Sequence, residues 1–247
     1  MINRDSSTPM YIQLADILED SIINGEYKEE DKLPSENRLC LKYNVSRITA
    51  RQALSLLEQK KLVYTVQGKG TFVKKTIISQ DLLKVINFGK VLLEKGLVGY
   101  TKIHSFSSKS ENKKAQEMLN PMNFNNICNL NLIGYSRNSP IVYYQSYFDE
   151  KTGHLMYECA KEMENDGEAF SSYDLYVKIG ISIDRISQKI MAVNANKDLS
   201  KILNIPLGGA LLLLESQLYS SGDTPLEYKL GYYRSDKYAF SIKRELN

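Results

Sequence analysis

The stretch from Leu33 to Val73 constrains this chain most. It reads LPSENRLCLKYNVSRITARQALSLLEQKKLVYTVQGKGTFV. Two short helical patterns are followed by two β-rich pieces around a glycine-bearing tip. Between Lys42 and Lys75 stand eight Lys or Arg and one acid, Glu58, whereas Met1–Leu41 holds four bases and nine acids. The positive charge is therefore gathered on the second helix and the hairpin, as on a surface that meets phosphates.

The second helix is predicted to start at Ser46, whose hydroxyl can accept from a first-turn N–H. Ala50, Ala53, Leu54 and Leu57 recur at helical spacing as an apolar face. Arg47, Ile48, Arg51, Gln52 and Ser55 fall opposite, with Arg47 and Arg51 four apart and so adjacent on the surface. A helix presented this way reaches base edges and phosphates from its first turns. By itself the pattern also fits a plain amphipathic helix with a solvated basic face. The hairpin decides between the two. Leu62–Thr65 and Thr71–Val73 read as strands, and Val66–Gly70 forms the turn, with Gly68, Gly70 and Lys69 at its tip. A basic glycine tip directly after a basic helix is explained better as a wing along a groove than as an ordinary β-turn.

These residues resemble the DNA-binding domain of the GntR family of bacterial transcription regulators. The matching elements are Pro9-Met10-Tyr11-x-Gln13, Ile23-x-Gly25, Leu33-Pro34-Ser35-Glu36, Val45-Ser46-Arg47-x-Thr49-x-Arg51-x-Ala53-Leu54 and Gly68-x-Gly70-Thr71-Phe72-Val73. The resemblance implies a winged helix-turn-helix. It implies DNA contacts from Arg38, Ser46, Arg47, Thr49 and Arg51 on the helices, and from Gln67, Gly68, Lys69 and Gly70 on the wing. Glu30 and Lys61 depart from the family, which often has Gly there, and so bear on local turn geometry.

A length of 247 residues suits one large or two ordinary domains, and 43% hydrophobic with 25% charged residues is a globular balance. Cys40, Cys128 and Cys159 are an odd, scattered set without CxxC, which fits a reduced protein rather than a disulfide scaffold or zinc site. The N-terminus has no signal-peptide core. The longest purely apolar run, Ala210–Leu214, is far too short to span a bilayer. A soluble, cytoplasmic protein is expected.

Along the chain, a helix is expected from Pro9 to about Asn24 and a second over Ser35–Tyr43. Residues 1–75 form the winged helix, 76–80 a linker that could order as a strand, and 81–247 a second domain. There, helices are expected at Asp81–Lys95 (on Leu82, Val85, Ile86 and Leu93), Asn112–Leu119, Ser172–Gly180 and Asp198–Leu203. Strands are expected at Thr101–Phe106, Ile127–Tyr135, Pro140–Phe148 (turn at Asn138-Ser139), Ile181–Ala192, Leu211–Tyr219 and Leu226–Tyr233. Antiparallel strands with interspersed helices make an α+β domain.

This half resembles the ligand-sensing (UTRA) domain of the HutC branch of GntR regulators, whose fold is chorismate-lyase-like. The matching residues are Ser139-Pro140-Ile141, Ser146-Tyr147, Ser172-Tyr173, Asp198-Leu199-x-x-x-Leu203 with Ile205, Pro206 and Gly208, Thr224-Pro225-Leu226-Glu227-Tyr228, and Tyr233-Arg234-x-Asp236-x-Tyr238-x-Phe240. The resemblance implies an effector site that uses Phe88, Arg137, Tyr144, Ser171, Tyr173, Glu227 and Tyr233. A homodimer on a near-palindromic operator is expected, because most soluble oligomers are closed dimers and two winged helices would then read an inverted repeat. Many relatives carry Arg-x-Arg where this chain has Leu132 and Gly134, and an acid where it has Tyr144. Losing two guanidinium groups removes a bidentate grip on phosphate. Phosphosugars are therefore expected to bind poorly. The tyrosines suit a neutral or singly charged ligand, or else fill a collapsed pocket.

An enzyme reading finds little support. His104 and His154 lie in different segments without metal-ligand partners, and neither a G-x-S-x-G elbow nor a P-loop occurs. No cofactor and no metal are expected. The reading is a transcription regulator, a repressor controlled by a small effector. The alternative is a small-molecule-binding protein whose winged helix serves protein contacts.

Overall fold

The computed structural model describes residues 2–82, 87–119 and 126–244. It divides into two units, Met1–Thr76 and Ile77–Asn247.

In the first unit, α1 (Met10–Ile23), α2 (Glu36–Tyr43) and α3 (Arg47–Gln59) precede the hairpin β1 (Val63–Val66) and β2 (Gly70–Val73). Pro9 stands just before α1, and Gln13 ties down the preceding arm through bonds with Asn3 and Thr8. Gly25 closes α1 with φ +79° while its N–H donates to Ile22 O and that of Glu26 to Ser21 O. Leu14, Leu18, Leu39, Ala50, Ala53 and Leu57 meet in a sealed core. The two positions that depart from the family, Glu30 (φ 67°) and Lys61 (φ 59°), are both left-handed, the conformation glycine adopts at no steric cost.

In the second unit, β3 (Ile78–Asp81) pairs in parallel with β10 (Tyr238–Ser241). The last residues of the stretch read as a linker thus lie in a strand. Asp81 belongs to that strand and not to a helix, and the helix that follows, α4, spans only Phe88–Leu93. Val85 and Ile86 lie outside the described residues. The main sheet runs β4 (Gly99–Ser107), β5 (Ile127–Ser136), β6 (Ser139–Asp149), β9 (Pro225–Arg234), β8 (Ala210–Tyr219), β7 (Arg185–Asn194), every pair antiparallel. The β5–β6 turn is centred on Arg137-Asn138, one residue earlier than the sequence suggested. Both residues are left-handed (φ 47° and 57°), as the primed hairpin turn requires. A single 3-10 turn, Ser221–Asp223, joins β8 to β9.

The remaining helices are α5 (Lys113–Leu119), α6 (Glu150–Asn165), α7 (Ser172–Lys178) and α8 (Lys197–Ile202). The sequence reading passed over strand β10 and helix α6. Asp149 caps it by accepting from Thr152 N at 3.0 Å, and its buried residues are Gly153, Met156, Cys159 and Ala160. Gly153 is there for contact: a Cβ would stand 2.4 Å from Cys128 Cβ. The main core lies between one sheet face and α4, α6 and α7, and includes Phe88, Leu132, Tyr144, Phe148, Tyr176 and Tyr233.

Candidate nucleic-acid interface and effector pocket

On α3, Ser46 Oγ accepts from Thr49 N at 3.1 Å and bonds its hydroxyl at 2.8 Å, so both residues fix the helix start. Burial of Ala50, Ala53, Leu54 and Leu57 turns Arg47, Ile48 and Arg51 outward. Ile48 is 71% exposed. The two arginines share one carboxylate: Arg47 Nε donates to Glu36 Oε2 at 3.0 Å, and Arg51 Nε to Glu36 Oε1 at 3.1 Å. Their side chains are 67% and 68% exposed. Glu36, first residue of α2, is held below the usual carboxylate range by the hydrogen bonds from Arg51 and Arg47. One acid thus orients two guanidinium groups through Nε, which leaves their outer amino groups for other acceptors. Arg38 is exposed on α2, its N–H bonded to Ser35 Oγ at 3.4 Å.

Gln67, Gly68 and Lys69 form the exposed wing tip, closed by Lys69 N to Val66 O at 3.0 Å. The two glycines serve different ends. Gly68 is left-handed (φ 75°) with nothing within 4 Å of a Cβ position, so its outer side is open. Gly70 (φ 120°) lies beneath the Lys32 side chain, where a Cβ would come within 2.6 Å of Cε.

In the second unit the sequence-predicted effector residues separate into two groups. A cavity of about 30 Å³ is lined by Gln80, Leu82, Tyr173, Ile186, Gln188, Leu214, Ser216, Lys229, Gly231 and Tyr233. Tyr173 and Tyr233 line it. Tyr144 sits behind them, with its ring edge-on to Tyr233 at 5.8 Å and its hydroxyl 3.4 Å from Tyr233 OH. Burial pushes the Tyr233 phenol up to about 12. Glu227 is fully buried, and neither carboxylate oxygen has a hydrogen-bond partner. Burial raises its pKa, tempered by Lys229 and by the nearby Ser146 and Ser172 hydroxyls.

Tyr144, Glu227, Phe88, Arg137 and Ser171 do not line the cavity. Phe88 is packed onto Gly134, where a Cβ would meet its ring at 2.7 Å. Ser171 is committed to α7: its N–H and hydroxyl both donate to Asp174 Oδ2, at 2.8 and 3.2 Å. Arg137 stays on the β5–β6 turn. The residue the sequence reading missed is Lys229, 4% exposed, whose Nζ donates to Ser172 Oγ at 2.8 Å. The ammonium also lies over the rings of Tyr144 (4.4 Å) and Tyr173 (4.7 Å).

His104 and His154 are apart, on β4 and α6, each edge-on to an aromatic ring. Among the described residues no group of His, Cys, Asp and Glu could hold a metal, and no helix is long and apolar enough to cross a membrane.

Residues 10–73 match the family of bacterial regulatory proteins called gntR, and residues 94–239 match the UTRA domain. The second match alone exceeds half of the chain, and the chain belongs to the GntR family of regulators that carry a UTRA domain. It is 28% identical to the transcriptional repressor NagR of Bacillus subtilis, over 97% of this chain and 96% of that one. It is 25% identical to MngR of Escherichia coli, the mannosyl-D-glycerate transport/metabolism system repressor, over 95% of both. Among solved structures, PhnF from Mycobacterium smegmatis superposes with a TM-score of 0.63 at 20% identity, covering 95% of this chain and all of that one. At that identity the likeness speaks for the fold. The chain is therefore a helix-turn-helix transcription regulator with an effector-binding domain, from a family of regulators and not of enzymes.

Proposed function

We propose that this regulator is a cytoplasmic repressor of the HutC branch, which binds a near-palindromic operator as a homodimer and is modulated by a small effector. The observation that carries the DNA-binding assignment is the pair Arg47–Arg51, fanned from one carboxylate on the exposed face of a capped helix. In this reading Arg47, Thr49 and Arg51 serve the major groove, Arg38 and Ser46 the flanking backbone, and Gln67, Gly68, Lys69 and Gly70 the minor groove. Repression is favoured by the names of NagR and MngR. A dimer is favoured by β7, a sheet edge with Ile190 and Met191 exposed at 44% and 37%, since exposed apolar edges invite pairing. Phe88, Arg137, Tyr144, Ser171, Tyr173, Glu227 and Tyr233 serve the effector site, and of these Tyr173 and Tyr233 line the cavity. The test is a gel shift of the intact chain against fragments from its own genome. The expected result is salt-sensitive retention of a few fragments in preference to competitor DNA; uniform retention of all fragments contradicts it.

A further inference from the structure

The surface around Leu132 and Gly134 is closed in this chain. Leu132 is buried, and the Phe88 ring and Val142 leave no room for a side chain at Gly134. The open space lies across the sheet. Cross-strand register sets Leu130, Ser146, Lys229, Ser216 and Gln188 in one lateral row over β5, β6, β9, β8 and β7. Lys229 is two strands away from β5, roughly 10 Å at ordinary strand spacing. The geometry points to Lys229 as the anion-binding group of the effector pocket, and to a hydroxylated carboxylate, a monoanion, as its ligand class. This rests on the reading of the second unit as an effector domain.

The chemistry follows from the surroundings of Nζ. A buried ammonium is costly unless it is bonded or paired. One donor goes to Ser172 Oγ, and two tyrosine faces stabilise the charge, yet an ammonium has three donors. Beside it Gln188 Nε2 donates to Ser216 Oγ at 3.0 Å, and Gln80 Oε1 accepts from Tyr238 OH at 2.6 Å. These neutral amides and hydroxyls suit the hydroxyls of a ligand. Its charge is limited to one. Among the described residues Lys229 is the only cation lining the cavity, and burial lowers its pKa, so it offers at most one positive charge. A phosphate dianion would leave a negative charge uncompensated beside a single buried ammonium. The size agrees: 30 Å³ holds about two water-sized groups, room for a carboxylate, while Gln188 is exposed and marks the side on which the rest of a ligand extends.

The test uses the intact chain and three probes that share a three-carbon skeleton: glycerol (neutral), D-glycerate (monoanion) and glycerol 3-phosphate (dianion). Calorimetry ranks them, and NMR follows the Lys229 ε-methylene, identified by its ring-current shift and its absence from Lys229→Met. D-glycerate is expected to bind about tenfold or more tightly than either other probe, as a charge-assisted bond predicts, and to move that resonance. Binding of glycerol 3-phosphate at equal or higher affinity overturns the proposal, as does no binding of glycerate or an unmoved resonance. If Lys229→Met does not fold, the ring-current shift from Tyr144 and Tyr173 identifies the resonance and the readings on the parent protein stand. An operator titration with glycerate separates the two claims: binding at Lys229 without any change in operator affinity defeats effector control and leaves the Lys229 assignment intact.

Discussion

Replacing Lys61 by glycine should stabilise the winged-helix unit, against the general tendency of glycine to loosen a chain. Lys61 lies just past the end of α3 at φ 59°, with its N–H bonded to Glu58 O and that of Leu62 to Leu57 O, at 2.9 and 3.0 Å. Those bonds complete a helix C-cap that needs a left-handed residue. A side chain in that conformation costs about 1–2 kcal/mol, whereas glycine costs about 0.5–1 kcal/mol in lost flexibility. The net gain is about 0.5–1 kcal/mol, or about 2–8 °C in the melting of a unit this small. Glu30→Gly should gain less. It relieves the same strain at φ 67° but removes the acceptor of the Tyr64 hydroxyl at 2.9 Å. Gly25→Ala is the reverse test: at φ 79°, with nothing near its Cβ position, it should lose stability through backbone conformation alone. Calorimetry of the whole chain, with amide exchange at Leu57 and Leu62 to localise the change, gives the answer. A destabilised Lys61→Gly, or a harmless Gly25→Ala, would refute the reasoning.

Arg47→Ala and Arg51→Ala should each weaken specific operator binding by about 1–3 kcal/mol with little loss of stability; unchanged affinity in both removes α3 as the reading helix. Glu36→Gln should raise non-specific binding, because a negative charge is lost beside the arginines, yet lower the ratio of specific to non-specific affinity, because their orientation is lost. Competition gel shifts measure that ratio, and an unchanged value argues against positioning. Gly68→Val should impair binding more than Lys69→Ala, which should mainly reduce the salt slope, by about one contact; a valine variant that binds like the parent places the tip away from DNA.

The winged helix was legible because its signals are local. Ser35 and Ser46 cap the helices they precede, and apolar spacing picks out the buried face of α3. Three features were not legible, for different reasons. Helix α6 buries glycine, cysteine and alanine in place of large aliphatics, so its stripe is faint, although Asp149 offered a cap signal. Strand β3, expected only as a linker that could order as a strand, exists through parallel pairing with residues near the C-terminus, a non-local cause that no short window contains. Lys229 was hidden by alternation. On β9 the apolar Leu226, Tyr228, Leu230 and Tyr232 suggest the core face, with Tyr228 buried, yet the opposite set, Glu227, Lys229, Gly231 and Tyr233, is buried throughout. A period of two gives two faces and leaves open which is inside.

The central claim is that a dimer of this chain reads an inverted repeat through α3 and the wing. Hydroxyl-radical footprinting on a retained genomic fragment tests it most directly. The account predicts two protected half-sites, related by a dyad and about one or two helical turns apart, with protection of both lost together in the Arg47→Ala, Arg51→Ala double variant. A single unrepeated footprint from a monomer, or a footprint that survives the double variant, would contradict it.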